Sequence, residues 1–184
     1  MLATTTDSDP FKRRTAIEAI GKLPQDAKLT QVVLSALSDS SGYVARTAME
    51  ISGRWKLAEA HERIASRLKD ADPLTRAACL RALTSIGIEG DVEPVLNMFR
   101  RDPNRDVRAA AGWCLRALAG QDTWSDVFDA FHIDSMPRHR RFACELAVRF
   151  DGRSKLAEID SLTRDADGHV RGAAEGALSS LSDS

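Results

Sequence analysis

The chain has 184 residues, and its 26 basic residues nearly balance 27 acidic ones, giving a net charge of -1. This balance excludes a uniformly basic protein that coats nucleic acid, and it excludes an acidic disordered tail. Aromatic residues make up 5%, which is low for a β-sandwich or barrel, whereas the 43% of hydrophobic residues suffice for a packed core.

The cysteine content and the absence of long apolar runs indicate where the protein resides. Three cysteines, Cys79, Cys114 and Cys144, are too few and too odd in number for a disulfide scaffold, so we expect a reducing, cytoplasmic location. No run approaches the roughly 18 apolar residues of a membrane span, and the first residues lack the apolar core of a secretory signal. We therefore expect no membrane association.

An internal repeat of 31 or 32 residues extends over residues 1–184, which we predict to be a single array. Successive copies align on residues Arg13, Ala45, Arg76, Arg108, Arg140 and Arg171, here called the anchors. Six residues before the anchor, every copy has an aspartate: Asp7, Asp39, Asp70, Asp102, Asp134 and Asp165. One residue type in all six copies of a column indicates a true repeat of fixed period.

Each copy is predicted to begin with a helix that contains the anchor. Four residues before the anchor, five copies have a side chain that commonly caps a helix N-terminus, namely Asp9, Ser41, Asp72, Asn104 and Asp167, whereas the fifth copy has Met136. Proline follows in three copies, where a first helical position tolerates it. Small or apolar residues then recur at helical spacing, beginning with the column Ala16, Ala48, Cys79, Ala111, Ala143 and Ala174.

A second amphipathic segment completes each of the first five copies. The five segments are predicted at 27–37, 57–68, 91–100, 123–131 and 154–162. With six helices of the first type, the sequence predicts about eleven helices and no strand. The last copy lacks a second segment, so we expect either that the array stops on a half-repeat or that the chain is part of something longer. Its Glu175 replaces the mostly apolar residues of the same column, which is expected if that side has no further neighbour.

The run D-x-D-P-x-x-R-x-A-C-L-R-A-L at 70–83 and its copies resemble HEAT-like repeats of the short, phycobilin-lyase type. The resemblance implies an all-α protein, an α-solenoid (superhelix) of about six helical-hairpin repeats. It also implies a structural ladder in which the aspartate of one copy meets arginines near the anchor of its own or the next copy. That ladder would join Asp70, Asp102 and Asp165 with Arg76, Arg108 and Arg171. The second copy departs from it, with Ala45 at the anchor and Arg46 beside it.

The resemblance further implies that the anchor-bearing helices line the concave face and bind partners there. In this sequence the outward positions carry nine basic and four acidic side chains, although the whole chain is nearly neutral. Arginine with exposed aromatic residues is the composition of interface hot spots. The predicted partner-binding residues are Phe11, Arg14, Tyr43, Arg46, Arg54, Arg81, Arg105, Trp113, Arg138, Arg141, Phe142 and Arg149.

No catalytic or metal-binding motif stands out. The four histidines are scattered over different copies, the cysteines fall on or beside the core stripe, and no nucleotide-binding glycine motif occurs. We therefore predict no cofactor and a non-enzymatic module that binds an acidic protein surface or peptide. Two alternatives stay open, a bilin lyase-like or chaperone-like protein that holds a tetrapyrrole, and a nucleic-acid-binding protein whose cations meet phosphates.

Overall fold

The computed structural model describes residues 2–87 and 92–182, and this part of the chain contains eleven α-helices and no strand. The anchor-bearing helices, here called inner helices, are α1 (Pro10–Ile20), α3 (Gly42–Arg54), α5 (Pro73–Ile86), α7 (Arg105–Leu118), α9 (Pro137–Arg149) and α11 (Gly168–Ser182). The outer helices are α2 (Ala27–Ala36), α4 (His61–Ala65), α6 (Glu93–Arg101), α8 (Trp124–Phe131) and α10 (Leu156–Leu162).

Short 3-10 helices complete the secondary structure at Leu2–Thr6, Ala58–Ala60, Ser66–Lys69 and Arg153–Lys155. The predicted segment 57–68 is therefore one α-helical turn between two 3-10 helices. The predicted segment 91–100 begins at a position outside the described residues and is helical from Glu93 onward. The predicted all-α solenoid is confirmed.

The helices stack as a linear array. Inner helices of successive repeats pack against each other, while the outer helices have few contacts among themselves and lie mainly against the following inner helix. The column from Ala16 to Ala174 is buried in all six copies. Its small side chains allow neighbouring backbones to approach closely, and one continuous core results because no single hairpin can bury its apolar stripe alone.

The contact between α7 and α9 is an exception to this close stacking. Their backbones share far fewer close approaches than the other pairs of neighbouring inner helices. Two bulky side chains of α9 fill the space between them, because His139 and Phe142 are both completely buried. Opposite them, α7 has Gly112, where an added Cβ would lie 2.5 Å from His139 Nε2. The fourth and fifth repeats are thus held apart by an aromatic wedge.

The aspartate column shapes the turn before each inner helix. In all six copies its Oδ1 accepts the backbone N–H two residues later, at 2.8 or 2.9 Å. Four of the five predicted caps also accept a backbone N–H of the first helical turn, namely Asp9, Asp72, Asn104 and Asp167. Ser41 makes no such bond, and Met136 has no group to make one. The aspartate therefore sets the turn even where the cap is missing.

The anchor arginines join successive turns into a ladder. Nη1 of each donates to the backbone carbonyl of the aspartate in its own repeat, for example Arg76 to Asp70 at 2.9 Å. Nε and Nη2, on the other edge of the guanidinium, donate to the carboxylate of the aspartate in the following repeat. Three such bidentate pairs, here called rungs, are present: Arg13 with Asp39, Arg76 with Asp102, and Arg140 with Asp165.

Arg76, Arg108 and Arg171 thus meet the aspartate of their own copy through its backbone carbonyl, whereas the carboxylates pair with the anchor of the preceding copy. Asp102 pairs with Arg76 and not with Arg108, and Asp165 pairs with Arg140 and not with Arg171. Both edges of a planar guanidinium are used, one facing its own turn and one facing the next. Asp70 pairs with Arg67 instead, since Ala45 supplies no guanidinium, and Arg46 pairs with Asp72.

Candidate binding surface

The predicted partner-binding residues are distributed over three parts of the inner helices. The structure divides them into an N-terminal cluster on α1, α3 and α5, a cluster around Trp113 on α7 and α9, and a cluster at the turn before α9. The inner helices carry all three clusters because their outward positions repeat at helical spacing along the stack.

The N-terminal cluster surrounds a cavity of about 590 Å³. Its charged and aromatic wall consists of Arg14, Tyr43, Arg46, Glu50 and Arg81, and its floor consists of small residues of α3 and α5. We call this cavity the basic pocket. Small floor residues leave the backbone of the two helices near the surface, so the long arginine side chains rise above the floor as walls.

The arginines of the basic pocket differ in the side-chain contacts that they make. Arg46 is tied to Asp72 and to Thr75 Oγ1 and lies over the Tyr43 ring, with its Cζ 4.9 Å from the ring centroid. Arg14 and Arg81 make no side-chain hydrogen bond or ion pair within the described residues. Two free guanidinium groups face one carboxylate, Glu50, which already accepts a bond from Arg54. The pocket therefore favours an anionic ligand.

A row of exposed apolar side chains lies beside the basic pocket. Phe11, Tyr43 and Leu74 occupy the same position in three successive repeats and are 66%, 57% and 62% exposed. The Phe11 and Tyr43 rings stack at a centroid distance of 6.3 Å. In the later copies the same position has Asp106, Arg138 and His169, so the row ends after α5. Exposed large hydrophobic side chains in a row are typical of contact surfaces.

The second cluster is built on Trp113, which is 46% exposed. Its ring meets the Phe142 ring edge-on, with the ring centroids 4.8 Å apart. The guanidinium of Arg116 lies over the Phe142 ring, and its Nε donates to Glu145 Oε2 at 2.7 Å. Arg141 lies 3.4 Å from the same Glu145 carboxylate, and Arg149 lines a cavity of about 690 Å³ beside it.

Phe142 was predicted to contact a partner, and this prediction is wrong. Its side chain is fully buried between α7 and α9, where it also packs near Phe131. Other copies have alanine or threonine in this column, and a ring as large as phenylalanine enters the gap because burial of its apolar area is favourable. Arg116 was missed, because the family resemblance does not place its column outward.

The third cluster contains Arg105 and Arg138, which flank a cavity of about 540 Å³ together with the anchor Arg108. At its base, His139 Nδ1 lies 2.8 Å from Asp134 Oδ1, and Arg138 Nε donates to His139 Nε2 at 3.3 Å. Burial lowers the pKa of His139 below its usual value, although the hydrogen bond to Asp134 opposes this shift. A neutral ring that donates from Nδ1 and accepts at Nε2 fits both contacts.

The structure offers no reactive nucleophile among the cysteines. All three thiols are free and buried, and burial raises the pKa of Cys79 to about 12 and those of Cys114 and Cys144 to about 11. Within the described ranges, no group of three or more His, Cys, Asp or Glu side chains is placed to hold a metal ion. In the same part of the chain, no helix is long and apolar enough to cross a bilayer.

Stacked hairpins, a repeated aspartate turn and an inner surface of arginines and aromatic residues define an α-solenoid. The model of the HEAT repeat family matches residues 30–116, which span the end of the first copy, the second and third copies and part of the fourth. Over this region the chain is thus similar to HEAT repeats, and the structure extends the same array of helical hairpins to both sides of the matched region.

Solved structures with the same fold include designed and natural proteins. An engineered protein has a TM-score of 0.69 at 13% identity and covers 99% of this chain and 95% of its own. A designed armadillo repeat protein in complex with the peptide (KR)4 has a TM-score of 0.69 at 14% identity, with coverage of 98% and 97%. A chain from the complex of CpcE and CpcF of phycocyanin lyase from Nostoc has a TM-score of 0.62 at 17% identity, with coverage of 98% and 75%. No curated protein sequence matches the chain significantly.

Proposed function

We propose that the protein is a non-enzymatic interaction module that binds an acidic peptide or protein segment on its inner helices. The observation that carries this proposal is the basic pocket, a cavity of about 590 Å³ lined by Tyr43, Arg14 and Arg81, of which the two arginines have no side-chain partner among the described residues. Free guanidinium groups are matched by carboxylates, which they bind in a bidentate fashion. The neighbouring row of Phe11, Tyr43 and Leu74 would receive apolar side chains of the same segment.

The similar structures support binding of an extended segment. A designed solenoid of this fold is found with the peptide (KR)4, and the lyase relative is found as a complex of two chains. The pocket of the present protein carries the charge opposite to that needed for a basic peptide. The three buried, free thiols fit the predicted cytoplasmic location.

The test is a fluorescence-anisotropy titration with a labelled peptide of aspartate and glutamate residues interspersed with leucine. R81A and R14A should each weaken binding about tenfold, because each removes a charged hydrogen-bonding partner. R100A is the matched control, since it removes the same charge from an exposed position on the outer helix α6. Equal affinities of R81A and R100A, at the same salt concentration, would disprove the assignment of the basic pocket.

W113A tests whether the ligand extends to the second cluster. Trp113 is half exposed and lies on the buried Phe142, so its removal leaves the ring beneath it in place. A weaker affinity of W113A for the long peptide, but not for a peptide of half the length, would assign both clusters to one ligand. A single-stranded oligonucleotide in the same titration tests the nucleic-acid alternative, since its binding would fall steeply with salt.

A second candidate function rests on the phycocyanin lyase relative. The inner arginines are suited to the propionate groups of a tetrapyrrole, and the relative shares the fold over 98% of this chain. The expected sign is a visible absorption band that stays with the protein through gel filtration after mixing with a bilin. Binding of the acidic peptide and absence of such a band would leave the interaction module as the function.

A further inference from the structure

We propose that the turn between the fourth and fifth repeats is a second binding site, which takes a carboxylate group. The site, here called the open rung, consists of Arg105, Arg108 and Arg138 around a cavity of about 540 Å³, with Asp134 and His139 at its base. It lies where the ladder of arginine and aspartate pairs is interrupted. It is separate from the basic pocket and does not rest on the function proposed for that pocket.

The rung is open because the aromatic wedge displaces the two repeats. Completely buried, His139 stacks with Phe131 at 5.5 Å and meets Phe99 edge-on at 4.9 Å. The same ring lies 2.8 Å from the Asp134 carboxylate, which also accepts the Met136 N–H. Asp134 thus forms no ion pair with Arg108, whereas the equivalent aspartates Asp39, Asp102 and Asp165 are each gripped by the preceding anchor.

Arg108 is held in position by one edge of its guanidinium, and the other edge has no acceptor in the described part of the chain. Its Nη1 donates to the carbonyl oxygens of Asp102 at 2.7 Å and Pro103 at 3.2 Å, the same two bonds that position Arg76 in its rung. Within residues 2–87 and 92–182, its Nε and Nη2 have no hydrogen-bond or ion-pair partner. A guanidinium that is already held in place loses little further freedom when it binds a ligand.

The other rungs show which chemical group fits this guanidinium edge. In each of them the partner is a carboxylate whose oxygens accept hydrogen bonds from Nε and Nη2 at 2.6 to 2.9 Å. At the open rung, Arg105 and Arg138 add two cations, and Asp134 supplies the one carboxylate of the lining. The excess of positive charge favours a dicarboxylate, either as a small molecule or as neighbouring acidic side chains of a bound segment.

The test uses succinate as the probe and the arginine Nε–Hε signals of the folded protein in NMR as the readout. The signal that disappears in R108Q is assigned to Arg108. In the wild type this signal should shift on addition of succinate, and the shift should saturate at a succinate concentration between about 1 and 10 mM. R108Q should weaken succinate binding about 10- to 100-fold, measured by the remaining shifts of its neighbours. R138Q should weaken succinate binding about tenfold. Since Arg138 makes no bond to a backbone carbonyl of the described residues, this variant still tests the site if R108Q fails to fold.

R171Q is the matched control. Arg171 makes the same two backbone bonds, to Asp165 and Ala166, but lies on α11 and does not line the cavity of the open rung. The inference is overturned if succinate shifts no signal of Arg108, or if R108Q and R171Q bind succinate equally well.

A capped peptide with two adjacent aspartates identifies the source of the carboxylates. If the peptide binds at least tenfold tighter than succinate, the site receives acidic side chains of a partner; if it does not, the site takes a small free dicarboxylate. R81A distinguishes the two proposals. If this variant no longer binds the labelled acidic peptide but still binds succinate, the basic pocket and the open rung act independently, and either proposal can fail without the other.

Discussion

Replacement of Arg76 by glutamine would measure the contribution of one ladder rung. Arg76 grips Asp102 with Nε at 2.8 Å and Nη2 at 2.9 Å, and the two side chains are only 13% and 6% exposed. Breaking a buried ion pair costs about 3–5 kcal/mol, and the small exposed fraction lowers the expected cost of R76Q to about 2–4 kcal/mol. The rung joins the third and fourth repeats, so its loss weakens the array at its centre.

R108Q provides the comparison that isolates the rung. Both arginines donate to two backbone carbonyls of their own turn, but only Arg76 holds a carboxylate of the next repeat. We expect R108Q to lower the free energy of unfolding by about 1 kcal/mol, the usual net value of such bonds. The difference between the two variants, about 1–3 kcal/mol, then belongs to the pair of Arg76 with Asp102.

The assay is urea unfolding followed by circular dichroism at neutral pH. A double-mutant cycle of R76Q and D102N should give a coupling energy of about 1–3 kcal/mol, since D102N keeps the Oδ1 acceptor for Asn104 N–H while removing the charge. If R76Q and R108Q are equally stable, or if the coupling energy is near zero, the ladder does not hold the repeats together and the reasoning fails.

Three further predictions concern the wedge and the thiols. G112A should destabilise the protein by about 1–3 kcal/mol in the same urea assay, because its Cβ would meet His139 Nε2 at 2.5 Å, and H139V should relieve most of that cost. Because folding lowers the pKa of His139, the imidazole binds a proton in the unfolded chain at a higher pH than in the folded protein. The free energy of unfolding should therefore fall as the pH drops below about 6.5, and H139V should reduce this dependence on pH. Cys79, Cys114 and Cys144 should react with a thiol reagent only at the rate of unfolding, and rapid labelling of the native protein would contradict their burial.

The repeat and the fold follow from the sequence by itself. A column of six aspartates and a stripe of small residues at helical spacing fix the turn and the packing face of each inner helix, because both are local properties of one repeat. The eleven α-helices of the described residues could be predicted for the same reason. The exposure of Phe11, Arg14, Tyr43, Arg81 and Trp113 also follows from their register on the helix, as the structure shows.

Only the tertiary structure decided how neighbouring repeats meet. A column alignment treats all copies as equivalent, so it does not show that the Asp102 carboxylate pairs with Arg76 of the preceding copy, and it places Phe142 on the surface. Whether a side chain enters the space between two helices depends on the volume available opposite it. For His139 this volume is provided by Gly112 on the preceding inner helix. The packing of His139 and Phe142 against α7 separates two repeats, and Arg108 then has no carboxylate partner within residues 2–87 and 92–182, which no single repeat reveals.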